Sequence, residues 1–168
     1  YVNSDICFLE VKEKNVHGRS VKRRVQRTSE KWDAPLTDSE KRFLSERIPF
    51  ASELSPVLYI SYSRFTLAHL NRGERITFDT DLTYTSIQGE ISKPLQGLLV
   101  VELKQAETDR RSPLFVFLRS LPERTAQVGR IIKISKYVLG RLSSDDSLSP
   151  RTYLSKLKVL KRAANAIK

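Results

Sequence analysis

Nine residues of this sequence have the type and spacing that phosphate chemistry uses. Glu10, Lys12, Lys14, Lys22, Arg24, Arg64, Arg75, Glu102 and Lys104 fall on alternating positions of strand-like segments. Most are long cations. A guanidinium grips phosphate through two parallel N–H contacts and an ammonium acts as a point charge. A lone carboxylate among them can hold a divalent metal that bridges phosphate oxygens, and Glu102 is the best candidate, with Glu10 and Asp79 as alternatives. The simplest reading of a polar sheet face is the solvated side of an antiparallel layer. The content weighs against it, because an ordinary wet face is richer in Thr, Ser and Gln. Strands closed into a barrel with this face inward would make a cationic tunnel. Its like charges would cost on the order of kcal/mol each in a partly desolvated site, so a polyanion would belong to the design.

The composition agrees with a polyanionic partner. Thirty Lys and Arg against nineteen Asp and Glu give a formal charge of +11, which suits nucleic acid, phosphate polymers or an anionic membrane surface. The 168 residues fit one domain, residues 1–168, and a hydrophobic share of 39% supports a core. No apolar run approaches the ~20 residues that a bilayer span needs, so a soluble domain is expected, and the lone cysteine fits a reducing, cytoplasmic setting. A single cysteine, Cys7, leaves no internal disulfide framework, and His17 and His69 lack zinc-site spacing. There is no Met at all, so the native start is expected upstream of Tyr1.

The elements that would position these side chains follow from periodicity. Residues 6–14 alternate, with Cys7, Leu9 and Val11 opposite Glu10, Lys12 and Lys14, and residues 20–26 set Val21 and Val25 against Lys22 and Arg24. Turn chemistry between them predicts a hairpin. Thr37-Asp38-Ser39-Glu40 is a capping-box pattern that opens a helix to about Arg47. Residues 57–64 and 75–82 read as strands separated by a turn at Asn71 and Gly73, and residues 98–104 as another. In the second of these, Arg75, Thr77, Asp79 and Asp81 share one face and Ile76, Phe78 and Leu82 the other. In the third, Glu102 and Lys104 oppose Leu99, Val101 and Leu103, and the apolar faces are expected to pack outward under helices. Ser112-Pro113 opens a helix through Leu121, and residues 124–142 and about 149–167 read as further helices, the last strongly basic.

Taken in order, Phe8-Leu9-Glu10-Val11-Lys12, Ser20-Val21-Lys22-Arg23-Arg24, Tyr62-Ser63-Arg64, the run from Arg75 to Leu82, Val101-Glu102-Leu103-Lys104 and Ser135-Lys136-Tyr137 resemble the successive motifs of the VTC domain. That is the polyphosphate polymerase branch of the triphosphate tunnel metalloenzymes, in the CYTH superfamily. Each motif alone is weak, whereas six in this order over residues 8–137 are fairly specific. The resemblance implies an α+β fold with an antiparallel barrel, the triphosphate tunnel, flanked by helices. It implies that Lys12, Lys22, Arg64 and Arg75 bind phosphates inside the tunnel, that Glu102 binds Mn²⁺ or Mg²⁺, and that Lys136 reaches in from a helix. Without the motif, Lys136 would read as a solvated helix lysine. Glu10, Lys14, Arg24 and Lys104 match as substrate-binding positions of the lumen or its rim. The family also carries an earlier strand with an Arg-x-Arg pair and a helix with further phosphate ligands. Both would precede Tyr1, so the N-terminal part of the tunnel is expected to be missing and one side open.

The function implied is transfer of the γ-phosphate of ATP or another triphosphate to inorganic polyphosphate. The alternatives are a triphosphatase of the same architecture and a non-catalytic polyphosphate-binding subunit. A membrane-associated partner subunit, with the domain at the cytoplasmic face of a membrane, is a further expectation. A nucleic-acid module fits the charge but lacks aromatic residues interleaved with the basic ones as a stacking platform. Cys7 reads as packing, and Trp32, His17 and His69 suggest no chemistry.

Overall fold

The alternation of residues 8–26 folds into an antiparallel hairpin, β1 (Phe8–Lys14) with β2 (Ser20–Gln26), in unbroken register from Phe8 opposite Gln26 to Lys14 opposite Ser20. The structure is a computed structural model that describes residues 6–16, 20–27, 33–69, 71–92, 97, 99–120 and 135–165. His17, Trp32, Leu98, Leu121 and the expected helical residues 124–134 and 166–167 lie outside that set. The chain divides into two compact units, Tyr1–Ser55 and Pro56–Lys168, and each is described by itself.

In the first unit the register puts Glu10, Lys12, Lys14, Lys22 and Arg24 on one face of the hairpin and Leu9, Val11, Val21 and Val25 on the other, as expected. Helix α1 (Asp38–Ser45) starts at a complete capping box, in which Thr37 Oγ1 accepts from the Glu40 N–H at 3.3 Å and Glu40 Oε2 accepts from the Thr37 N–H at 2.8 Å. Glu40 does more than cap. Its Oε1 accepts from Arg27 Nε at 2.8 Å, and Arg27 Nη2 also donates to the carbonyls of Ala34 and Pro35. Both side chains are only 5% exposed, so this pair ties the start of α1 to the end of β2. Removing one partner of such a buried pair costs about 3–5 kcal/mol.

The second unit is built on a four-stranded antiparallel sheet. Its central strand β4 (Glu74–Ser86) pairs with β3 (Leu58–Ala68) on one side and with both β5 (Ile91–Ser92) and β6 (Val100–Gln105) on the other. Gly73, at φ +58, makes the β3–β4 turn, and the Asn71 N–H donates to His69 Nδ1 at 3.1 Å, so His69 is a turn residue with a partner. Helix α2 (Pro113–Ser120) follows a loop drawn onto the sheet by Gln105, whose amide donates to Glu74, to Asp109 O and to Ser112 Oγ. Helix α3 (Lys136–Ser144) starts at Ser135, whose hydroxyl accepts from the Val138 N–H at 3.0 Å. A 3₁₀ turn at Arg151–Tyr153 then leads into α4 (Leu154–Asn165), which begins later than the expected position 149.

One irregularity in β4 changes which side chains share a face. Ser61 pairs with Thr83 and Ser63 with Thr80, so Asp81 and Leu82 together oppose the single residue Tyr62. This is a β-bulge, with Asp81 at φ 56 in the left-handed conformation that Asp tolerates better than most residues. An extra residue reverses the alternation. Leu82, Tyr84 and Ser86 therefore lie on the same face as Asp79, Thr77 and Arg75, which corrects the expectation that Leu82 sits with Ile76 and Phe78. That face is also where α3 docks: Leu139 joins Leu82 and Tyr84 in the buried core, with Leu58, Ile60, Val100, Leu157 and Leu160 packed around them. The helical cover expected over Ile76 and Phe78 is not supplied by α3, which docks on the opposite face.

The architecture is mixed α+β with antiparallel sheets. Among the described residues the ladders form one hairpin and one four-stranded sheet.

Candidate anion-binding site

Asp79 is the pivot of the charged half of the sheet face. It lies opposite Arg64 in the β3–β4 ladder, and the guanidinium meets its carboxylate side-on, Nε to Oδ1 at 2.6 Å and Nη2 to Oδ2 at 2.8 Å. Lys136, the first residue of α3, brings its Nζ to Oδ2 at 2.7 Å. The Tyr62 ring lies beneath both cations, 5.0 Å from Arg64 Cζ and 5.3 Å from Lys136 Nζ, within cation–π range. Asp79 is fully buried, whereas Arg64 and Lys136 keep 29% and 24% of their side chains exposed. Burial pushes the Asp79 carboxyl up, but the hydrogen bonds from Arg64 and Lys136 outweigh it and hold the group below its usual range. The Arg64 guanidinium is in turn held more firmly charged, chiefly by Asp79.

From Asp79 the same face continues away from α3. Thr77 lies between Thr66 and Glu102, and Arg75 between Ala68 and Lys104. Lys104 Nζ stands 3.3 Å from Glu102 Oε2, with both side chains partly exposed. The structure thus brings Arg64, Arg75, Glu102, Lys104 and Lys136 onto one surface. Arg75 is four residues from Asp79 along β4, about 13 Å at the rise of a strand. That length suits an extended anion better than a single phosphate. At the other end the face is sealed: Tyr84 is completely buried under α3, and burial pushes its hydroxyl up to about 12.

The remaining sequence candidates share the charged face of the hairpin in the first unit. Lys12 lies directly opposite Lys22, and Glu10 opposite Arg24. Two lysines face to face destabilise a ladder, and Glu10 relieves them by accepting from Lys22 Nζ at 2.8 Å. Arg24 lies over the Phe8 ring at 4.6 Å, and Lys14 closes the ladder opposite Ser20.

Two sheet faces that segregate long cations in this order along a chain agree with what a comparison of the whole sequence finds: a model of the VTC domain matches residues 1–144. The chain belongs to the VTC domain family. Placement in the CYTH-like superfamily is consistent with that match, and the family is associated with polyphosphate polymerase activity. No curated protein and no solved structure matches the chain. Among the described residues no helix is long and apolar enough to cross a membrane.

Within this VTC domain the metal question turns on the donors present. Among the described residues no three His, Cys, Asp or Glu side chains gather into a metal-binding group. Asp79 is a poor ligand because Arg64 and Lys136 occupy both its oxygens. Glu102 stays partly exposed beside Lys104, and one carboxylate with phosphate oxygens and water is a donor set that Mg²⁺ or Mn²⁺ accepts. The sequence displays Asp79 and Tyr62 but not their role as the anchor of Arg64 and Lys136. The available signal was a carboxylate on the same alternation as Arg75, in a strand next to a Tyr-x-Arg motif.

Proposed function

We propose that the chain is a polyphosphate polymerase-like domain that binds a nucleoside triphosphate and polyphosphate along its cationic faces and moves the γ-phosphate onto the polymer. In this reading Lys12, Lys22, Arg64, Arg75 and Lys136 hold the reacting phosphates, and Glu10, Lys14, Arg24 and Lys104 line the path of the chain. A terminal oxygen of the polyphosphate attacks the γ-phosphorus, the bond to the β–γ bridging oxygen breaks, and the nucleoside diphosphate leaves with that electron pair. No protein nucleophile is needed, so the side chains act by alignment and by neutralising charge on the transferring group. A divalent metal at Glu102 would add charge neutralisation across the phosphate oxygens.

The observation that carries this reading is the single surface holding Arg64, Arg75, Lys104 and Lys136 around Glu102, in a chain of the VTC domain family. Incubating the full-length protein with ATP and Mn²⁺ tests it. Polymer formation supports transfer to polyphosphate. Free phosphate alone would make the domain a hydrolase, and tight polyphosphate binding without turnover would make it a non-catalytic binder.

A further inference from the structure

Asp79 is anomalous in a site meant for polyanions, because it places a buried negative charge among the cations that should meet the phosphates. The geometry resolves the conflict. Of the five N–H donors of a guanidinium, Asp79 engages the side formed by Nε and Nη2 and leaves the fork between Nη1 and Nη2 for a bidentate phosphate contact. It takes one donor of Lys136 and leaves the other two. The same carboxylate thereby fixes the facing of a sheet residue and a helix residue that lie seventy-two positions apart in the chain. The Tyr62 ring under both cations limits the remaining freedom.

We infer that Asp79 is a positioning residue that presents the outer donors of Arg64 and Lys136 together to one phosphate group of the bound chain. This rests on the phosphate-binding reading above. It makes an unusual prediction, since removing a negative charge from an anion site should strengthen binding by electrostatics alone. Positioning demands the opposite: Asp79→Asn, which keeps the shape, and Asp79→Glu, which keeps the charge but displaces it by a methylene, should each weaken tripolyphosphate binding at least tenfold.

The test is a calorimetric titration of the full-length protein with tripolyphosphate, with a melting curve on each variant. If Asp79→Asn binds as tightly as the parent or more tightly, charge balance was its only role and the inference falls. If both variants melt lower but bind normally while folded, the carboxylate is merely structural and the inference falls again. A parent protein that takes no tripolyphosphate removes the phosphate reading itself, whereas a binding parent with unaffected variants removes only the role of Asp79. Should neither variant fold, ¹H–¹⁵N spectra of the parent decide. The Arg64 Nε–H, assigned through Arg64→Lys, should stay protected when tripolyphosphate is added, and its loss would show that the ligand pulls Arg64 away from Asp79.

Discussion

Gly140→Ala probes the docking that brings Lys136 to Asp79. Gly140 is one helical turn beyond Lys136, so both point to the same side of α3. A Cβ at position 140 would stand 2.5 Å from Leu58 Cδ2 and 2.6 Å from Tyr84 Cε1, against about 3.5–4 Å for ordinary carbon contacts. Tyr84 is completely buried and has little room to yield, so α3 must back away by about 1 Å. Overpacking of this kind costs about 1–3 kcal/mol, while Ala gains about 1 kcal/mol over Gly inside a helix. A net loss of about 0–2 kcal/mol lowers the melting temperature of a domain this size by up to about 6 °C. The same displacement stretches the 2.7 Å Lys136–Asp79 contact, so tripolyphosphate affinity should fall severalfold in protein that is still folded. Differential scanning calorimetry and a binding titration on the variant measure both. An unchanged or higher melting temperature with unchanged affinity would refute the close packing of α3 on Tyr84 and the coupling drawn from it.

Three further substitutions, with Lys161→Ala as a surface control, separate the roles of individual charged residues. Glu102→Gln should abolish Mn²⁺-dependent turnover while polyanion binding largely survives, and undiminished activity would move the metal to another carboxylate. Arg75→Ala should weaken tripolyphosphate binding at least tenfold, since a charge-assisted contact is worth roughly 1.5–3 kcal/mol, with little loss of melting temperature; Lys161→Ala should do far less. Glu40→Gln keeps the capping box but removes the charge facing Arg27, and should cost about 3 kcal/mol at neutral pH. The Arg27 hydrogen bond, foremost among its partners, holds the Glu40 carboxyl below its ordinary 4.5. The stability it supplies is therefore complete above that value and lost as the pH falls through the lower folded value. An acid unfolding curve of the variant should lack that limb.

What was legible in the sequence was whatever depends on local period. Residues 8–14, 20–26 and 100–105 pair in unbroken register, so Glu10, Lys12, Lys14, Lys22 and Arg24 share one face of the hairpin and Glu102 and Lys104 share one face of β6, as their spacing predicts. The capping box at Thr37 and Glu40 and the Pro-led start of α2 are equally local. What escaped was decided by geometry over distance. The bulge at Asp81 leaves almost no trace, because an Asp in the left-handed conformation looks in sequence like any exposed Asp of a strand. Missing it put Leu82 on the wrong face and hid the reason why α3 docks beside the charged residues. The Arg27–Glu40 pair joins residues thirteen apart across a loop, where no periodicity applies. β3 runs on to Ala68 because its last residues pair with β4 and not because of their own alternation, since Phe65 and Leu67 remain exposed.

The two carboxylates on the charged face bear on how a polymer could move there. Four cations, Arg64, Arg75, Lys104 and Lys136, share the surface with Asp79 and Glu102, which leaves two net positive charges along about 13 Å of strand. A face of cations alone would attract a polyanion more strongly. It would also repel itself when empty and hold its product too firmly to let the chain advance. Asp79 and Glu102 differ in how they moderate this. Asp79 is buried and bound on both oxygens, so its charge is a fixed part of the scaffold, whereas Glu102 is partly exposed and stands 3.3 Å from Lys104. On the proposed function, an incoming phosphate would draw Lys104 away and leave Glu102 to a metal without disturbing the fold, and it could not do the same at Asp79. On the proposed function, fixed charge at one end of the face and exchangeable charge at the other let a phosphate chain be gripped beside Arg64 and Lys136 while it is still able to slide past Arg75 and Lys104.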